Sequence, residues 1–448
     1  MNTQMTTQAV QHHEMSSSSA EETGVAPGEI AIGVIIGRLS EFFDFFVFGI
    51  ACVLVFPPVF FPFASPMDGT IYAFIIFSFA FVARPIGSLL FRFIFDWYGR
   101  GTKLTIALFM LGTSTVGIAF LPGYTDLGKA SIVLLALFRI GQGIALGGSW
   151  DGLPSLLALN APQKHRGWYA MIPQLGAPLG FMLAAGLFAF LVENLSPADF
   201  ADWGWRYPFY VAFAINVVAL FARLRLVVTP DFTALLKAKE LLPSPIGELF
   251  RTQGKSILLG AFAPLASYAL FHVVTIFPLS WITLFTHESV VEYLLVQLAG
   301  AVIAVLTMLI SGKVADRLGR RTTLGIGAVL IAIFSLAGML PIFSHGTTFG
   351  AYVFILVGFA LLGFSHAQAA GAVNSSFATR YRYSGALLTS DLGWLLGAGF
   401  APLVALGIAA KFGVGYVGLY LISGSIGTLL ALKVNRSLEE RRDEEQAA

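Results

Sequence analysis

Twelve apolar stretches, most of about 20 residues or more, run through this chain with mostly short polar breaks between them. A helix needs about 20 apolar residues to cross the hydrocarbon core of a bilayer. The stretches cover 30–57, 70–95, 104–121, 130–158, 168–192, 207–228, 256–286, 290–311, 323–343, 350–372, 384–410 and 414–434. A chain of 448 residues that is 56% hydrophobic and 12% charged carries too little polar surface to face water on all sides. Large water-soluble enzymes, nucleic-acid binders and secreted disulfide scaffolds are thereby excluded. The lone cysteine, Cys52, permits no internal disulfide and no cysteine-based metal site. The sequence predicts an all-α membrane protein with 12 transmembrane helices, lying in the lipid bilayer as a monomer, with no metal and no bound cofactor.

The polar stretches divide the chain. Residues 1–29 read as a disordered tail without the charged and apolar regions of a signal peptide. A six-helix bundle is expected over 30–228, a linker over 229–255, a second six-helix bundle over 256–434 and a short tail over 435–448. Pro264 and Pro278 predict kinks in the seventh helix. With the N-terminus inside, most of the 27 basic residues, Arg223 and Lys103 among them, fall in loops, tails or helix ends on one face. Lys129, Arg206 and Lys411 fall on the other. This imbalance places both termini in the cytoplasm. An internal repeat supports the two halves: Asp96-Trp97-Tyr98-Gly99-Arg100 follows the second stretch, and Asp316-Arg317-Leu318-Gly319-Arg320-Arg321 follows the eighth, 220 residues later.

These D-x-x-G-R loops match the signature of the major facilitator superfamily. Gly37-Arg-Leu-Ser-Glu41-Phe-Phe-Asp44, Arg84-Pro85-Ile86-Gly87, Arg139-Ile-Gly-Gln142-Gly143, Trp203-Gly204-Trp205-Arg206 and Tyr381-Arg382-Tyr383-Ser384-Gly385 extend the match. Together they resemble the metabolite:proton symporter family, which transports citrate, 2-oxoglutarate, shikimate, phthalate and proline/betaine. The resemblance implies a major facilitator fold of two pseudo-symmetric six-helix bundles in a cell membrane, the bacterial inner membrane. The chain departs from the family at several points. Arg92 and Phe95 replace glycines, and the acid of the fourth-helix motif is displaced to Asp151 in Gly147-Gly148-Ser149-Trp150-Asp151. Asn160 and Ser375 stand where glutamates are common, and Asp391 stands where a neutral polar residue is expected.

A charge at mid-bilayer is costly and usually pairs or lines a watery cavity. Arg38, Glu41 and Asp44 recur every third residue on the first helix, so neighbours share a face. Glu41 and Asp44 are candidates for proton coupling, Arg38–Glu41 being alternatively a structural ion pair. Arg139 is a candidate for coupling or for clamping a carboxylate, unless it permanently neutralises the acids of the first helix; Gln142 lies one turn on, and Asp151 is a further coupling candidate. In the resembled fold the first, fourth, seventh and tenth helices line the cavity, which makes Arg38, Arg139, Gln142, His272 and His366 the candidate substrate contacts. The resemblance also makes Asp96, Gly99, Arg100, Gly312, Asp316, Gly319, Arg320 and Arg321 a gate on the cytoplasmic side. There Arg92 and Asp391 are expected to pair across the halves. Gly176-Ala-Pro-Leu-Gly180 predicts close packing of the fifth helix.

The expected function is import of a small organic metabolite, a carboxylate or betaine-like solute, by proton symport and alternating access, with the proton as coupling ion. A proton-independent facilitator or exporter, or a transporter-like nutrient sensor, are the alternatives. An enzyme would need a metal cluster or a nucleophile beside a base, and the sequence offers neither.

Overall fold

A computed structural model describes residues 27–150, 152–227, 243–286, 288–336, 348–370, 377 and 379–447. In hydrocarbon a backbone must satisfy its own N–H and C=O groups, and helices account for nearly all of the described chain. Helix α1 is Pro27–Leu54. The run Pro66–Ala119 supplies α2 and α3, the arms before and after a break at Gly99. Helix α4 is Lys129–Gly148, and α5 comprises Arg166–Met171 and Gly176–Asn194 about a tight turn. Helix α6 is Tyr207–Val227. Helix α7 falls into Ile246–Phe262, Leu265–Thr275 and Phe277–Phe285. Helices α8, α9 and α10 are Val290–Leu318, Arg320–Phe334 and Thr348–His366. Helix α11 comprises Arg382–Trp394 and Ala401–Phe412 around a π-type turn, and α12 is Val417–Ala447.

Nine stretches among the described residues are long and apolar enough to cross a membrane. One of them, Pro66–Ala119, carries two of the expected spans, and α1 and α9 fall on the remaining two. The boundaries differ from expectation in three places. Spans two and three are a single helical run broken at Gly99, because helix geometry continues through Asp96, Trp97 and Tyr98. Helix α7 begins at Ile246, inside the expected linker 229–255, and residues 228–242 lie outside the described set. Helix α12 runs on through the expected tail, where Glu, Arg and Gln favour helix without help from lipid. The expected kinks of α7 are present: Pro264 and Pro278 each sit at the start of a new helical segment.

The two signature loops bend by the same device. Gly99 has φ 80° and ψ −179°, and Gly319 has φ 85° and ψ 148°. A side chain added at either would meet nothing within 4 Å, so backbone conformation alone reserves these positions for glycine. The halves echo each other in packing too. A Cβ on Gly143 of α4 would stand 2.3 Å from the Ala80 carbonyl oxygen of α2, and one on Gly363 of α10 would stand 2.3 Å from that of Ala304 in α8. These glycines are 220 residues apart, the offset of the two aspartates.

Helix α5 packs on α1 as the Gly176–Gly180 spacing predicts. A Cβ on Gly176 would come within 2.5 Å of Arg38 Cβ and 2.7 Å of its backbone carbon. Gly176→Leu therefore has to push the α1 and α5 backbones away from each other, and should cost about 1–3 kcal/mol. Gly247→Leu, at an exposed glycine with nothing within 4 Å of its Cβ position, should melt like wild type in the same detergent. Equal melting of the two variants would contradict this packing.

The largest buried apolar cluster runs through both halves, so part of the contact between the bundles is an aromatic seam. Phe45 of α1 stacks on His272 of α7, Phe81 of α2 on Trp394 of α11, and Phe181 of α5 lies 5.4 Å from Phe359 of α10.

Candidate functional site

Glu41 is set between two guanidinium groups. Its Oε2 accepts from Arg38 Nη1 at 2.8 Å, and its Oε1 accepts from Arg223 Nη1 at 3.2 Å and Ser149 Oγ at 3.0 Å. Arg223 also donates to the Ser149 carbonyl. Its place in the sequence groups Arg223 with the basic helix ends, but its side chain runs inward and is 5% exposed. Gly37 makes that path possible, since a Cβ there would lie 2.9 Å from Arg223 Cδ. Arg84 of α2 lines the same small cavity as Arg38, Glu41 and Arg223.

Asp44, one turn further along α1, belongs to a separate and wholly buried group. Its Oδ2 accepts from Thr115 Oγ1 at 2.6 Å and Asn216 Nδ2 at 3.0 Å, and its Oδ1 accepts from Gln142 Nε2 at 3.0 Å. Ser40 donates to Asn216 Oδ1 at 2.5 Å. Gln142 stands between Asp44 and Arg139, accepting from Arg139 Nη1 at 3.0 Å. The Arg139 guanidinium lies 4.0 Å from the centre of the Phe48 ring and 4.9 Å from that of Phe77. Glu41 and Asp44 thus share a helix but answer to different partners and form two distinct sites. Their chemistry differs. Guanidinium groups only donate, so Glu41 keeps its bonds only as a carboxylate. A threonine hydroxyl both donates and accepts, so Asp44 retains a partner at Thr115 with or without a proton.

Asp391 pairs across the halves with Arg84, not with Arg92. Arg84 Nε donates to its Oδ1 at 2.7 Å, and Ser88 Oγ donates to its Oδ2. Asp391 is fully buried. Arg92 lies two turns beyond Arg84, about 12 Å along the helix, too far towards the basic loops to reach that depth. It bonds Asp96 instead at 2.8 Å, and also crosses to the second half through the Ser244 carbonyl at 2.9 Å. The repeated loop aspartates are used unequally. Asp316 of the second half accepts from the backbone N–H groups of Gly167 and Trp168, at 2.7 and 3.1 Å, capping the start of α5 in the first half. Gly312 packs against Trp168 and Met171 of the same helix.

Between the halves lies an open cleft lined by residues of both. Arg38, Gln174, Tyr268, Thr389 and Arg320 contribute to its lining. Burial, with Arg166 and Arg321 alongside, pushes the pKa of Arg320 below the usual arginine value, as expected where cations crowd around a basic mouth. Of the five expected substrate contacts, Arg38 alone lines this cleft. Arg139 and Gln142 sit in the Asp44 group. His272 is enclosed by Phe45, Phe77, Phe81 and Phe271, with neither ring nitrogen bonded. His366 ends α10, its Nδ1 3.5 Å from Ser267 Oγ, and lines a smaller apolar cavity. Asp151 lies outside the described residues. Thr115 and Asn216 are additions that the motifs do not point to, and Ser40 lies within the first-helix motif without being singled out there. Asn216 carries a usable signal, being a lone amide in the apolar run Phe213-Ala-Ile-Asn216-Val-Val, seven residues and so two turns before Arg223.

Residues 5–243 match the family model described as "Sugar (and other) transporter". An inner membrane metabolite transport protein of Escherichia coli strain K12, YhjE, is 37% identical over 90% of this chain and 93% of its own length. The shikimate transporter of the same organism is 28% identical over 88% and 91%. Among solved structures, a D-xylose-proton symporter superposes with a TM-score of 0.69 at 20% identity, covering 90% of this chain and 96% of that one. That likeness shows the fold, the all-helical membrane fold of the major facilitator proteins.

Proposed function

This chain belongs to the sugar (and other) transporter family of the major facilitator superfamily, and from that premise we propose that it imports a small carboxylate together with a proton. The observation that carries the anion is the charge count at the cleft. Among the described residues, Arg38 and Arg320 line the cleft, and Arg38 shares the Glu41 carboxylate with Arg223, so the positive charge at the cleft wall is only partly compensated. Burying an uncompensated cation is expensive, and a substrate carboxylate would compensate it.

Asp44 carries the proton in this reading, supported by its neutral partners and by the reversible hydroxyl of Thr115. Arg139 holds Gln142 in place rather than clamping substrate, and Asp151 keeps the coupling role suggested by its displaced motif. Arg38 is the substrate contact, with Gln142 serving the Asp44 group and His272 and His366 the seam between halves. The loops of Asp96, Gly99, Arg100, Gly312, Asp316, Gly319, Arg320 and Arg321, with Arg92, form the gate on the cytoplasmic side. The distribution of basic residues supports cytoplasmic termini and an inner-membrane location. The protein works as a monomer, its two bundles (30–228 and 256–434) rocking about the cleft.

Proteoliposomes offered radiolabelled carboxylates and betaines should accumulate a carboxylate when the outside is acidic, and accumulate no betaine. Uptake indifferent to the proton gradient would favour the facilitator, and binding without uptake would favour the sensor.

A further inference from the structure

A second, smaller pocket lies within the first half, beside the central cleft and sharing Arg38, Trp150 and Pro154 with it. Three guanidinium groups from three helices line it: Arg38 of α1, Arg84 of α2 and Arg223 of α6. Among the described residues, Glu41 is the one carboxylate in that lining. It is shared between Arg38 and Arg223, so the positive charge of Arg38 is only partly compensated. Arg84 is paired with Asp391 of the second half, which stands outside the lining. The donors are not used up either. Arg38 bonds Glu41 through Nη1 alone, and Arg84 bonds Asp391 through Nε alone. A guanidinium carries five N–H donors, and the remaining nitrogens of these two side chains stay accessible rather than sealed in the packing.

Size decides what can answer these donors. The pocket has a volume of about 20 Å³. A water needs about 10–15 Å³, so one small species fits and an organic acid does not. Water fits but is neutral, and leaves a mostly buried cation to bear its desolvation cost. A monatomic anion fits as well, meets the charge, and accepts N–H bonds from any direction. Such charge-assisted bonds are roughly twice as strong as neutral ones. We infer that a single halide ion of chloride size binds this side pocket, held between the open guanidinium nitrogens of Arg38 and Arg84. The ion is a resident counter-charge that ties α1 to α2. It is not the carried solute, and its site does not depend on what that solute is.

The test uses the purified full-length chain in sodium gluconate, whose anion is too large for the pocket. Replacing gluconate by chloride or bromide at constant ionic strength should raise the melting temperature, by about 2–4 °C at saturation. In Arg38→Gln the halide concentration needed for half of that rise should increase at least about tenfold, the worth of one charge-assisted hydrogen bond. Lys129→Gln, at an exposed cation outside the pocket, should respond like wild type. Wild-type crystals grown in bromide give a reading that needs no variant to fold: an anomalous peak should stand in contact with both Arg38 and Arg84. Equal melting in gluconate and chloride, or a halide response in Arg38→Gln as sensitive as in wild type, would overturn the inference. So would bromide crystals with no anomalous peak between the two arginines.

Discussion

Asp44→Asn should abolish proton-driven accumulation while leaving the protein folded and able to exchange substrate. The amide oxygen of asparagine can still accept from Thr115 and Asn216, which hold the native carboxylate at 2.6 and 3.0 Å. The group therefore keeps much of its bonding and loses its titration. With one proton per anion, a gradient of one pH unit sustains about tenfold accumulation in the wild type. In the variant the internal and external concentrations should equalise. Counterflow of labelled against unlabelled carboxylate separates this outcome from simple inactivation, because exchange needs no net proton movement. Retained accumulation in Asp44→Asn would remove Asp44 from the coupling step. Glu41→Gln provides the contrast. It strips the counter-charge from Arg38 and Arg223, so its dominant effect should be lost stability, seen in melting before transport is assayed.

The second large effect concerns the pair across the halves. Asp391→Ala leaves the Arg84 guanidinium, 11% exposed, without its carboxylate. Removing one partner of a buried pair costs about 3–5 kcal/mol, enough to sharply lower the yield of folded protein. Removing both, as in Arg84→Met with Asp391→Leu, should recover most of that stability. Transport should not recover with it, because in the proposed cycle the pair joins the two bundles and forms and breaks as they rock. The exchanged pair, Arg84→Asp with Asp391→Arg, should restore some transport. A double-mutant cycle in thermal melting should yield a coupling of about 1–3 kcal/mol. Strictly additive single and double variants would mean that the two residues do not act as a pair.

The extent to which these sites can be read from the chain follows a physical line. Span number, the two halves and the signature loops are local properties, written in hydropathy and in two glycines of positive φ. The charges on α1 are equally visible, because an acid in an apolar run is conspicuous. Their partners are not. Depth judged from the helix ends puts Arg92 opposite Asp391, whereas the true partner, Arg84, sits two turns deeper on the same helix. Arg223 looks like a loop cation because its backbone lies near the end of α6, and only Gly37 on another helix opens its path inward. Histidines on cavity-facing helices are natural candidates for substrate contact. The aromatic packing around His272 is a property of four side chains from three helices, which no spacing along one helix encodes.

The central claim is that an anion and a proton cross together. Proteoliposomes in a lightly buffered medium, with no imposed gradient, test it by a pH electrode. Adding the transported carboxylate should make the external medium more alkaline as protons enter with it, with an initial rate that matches labelled uptake and vanishes in Asp44→Asn. Uptake of the carboxylate at full rate with no change in external pH would contradict the account.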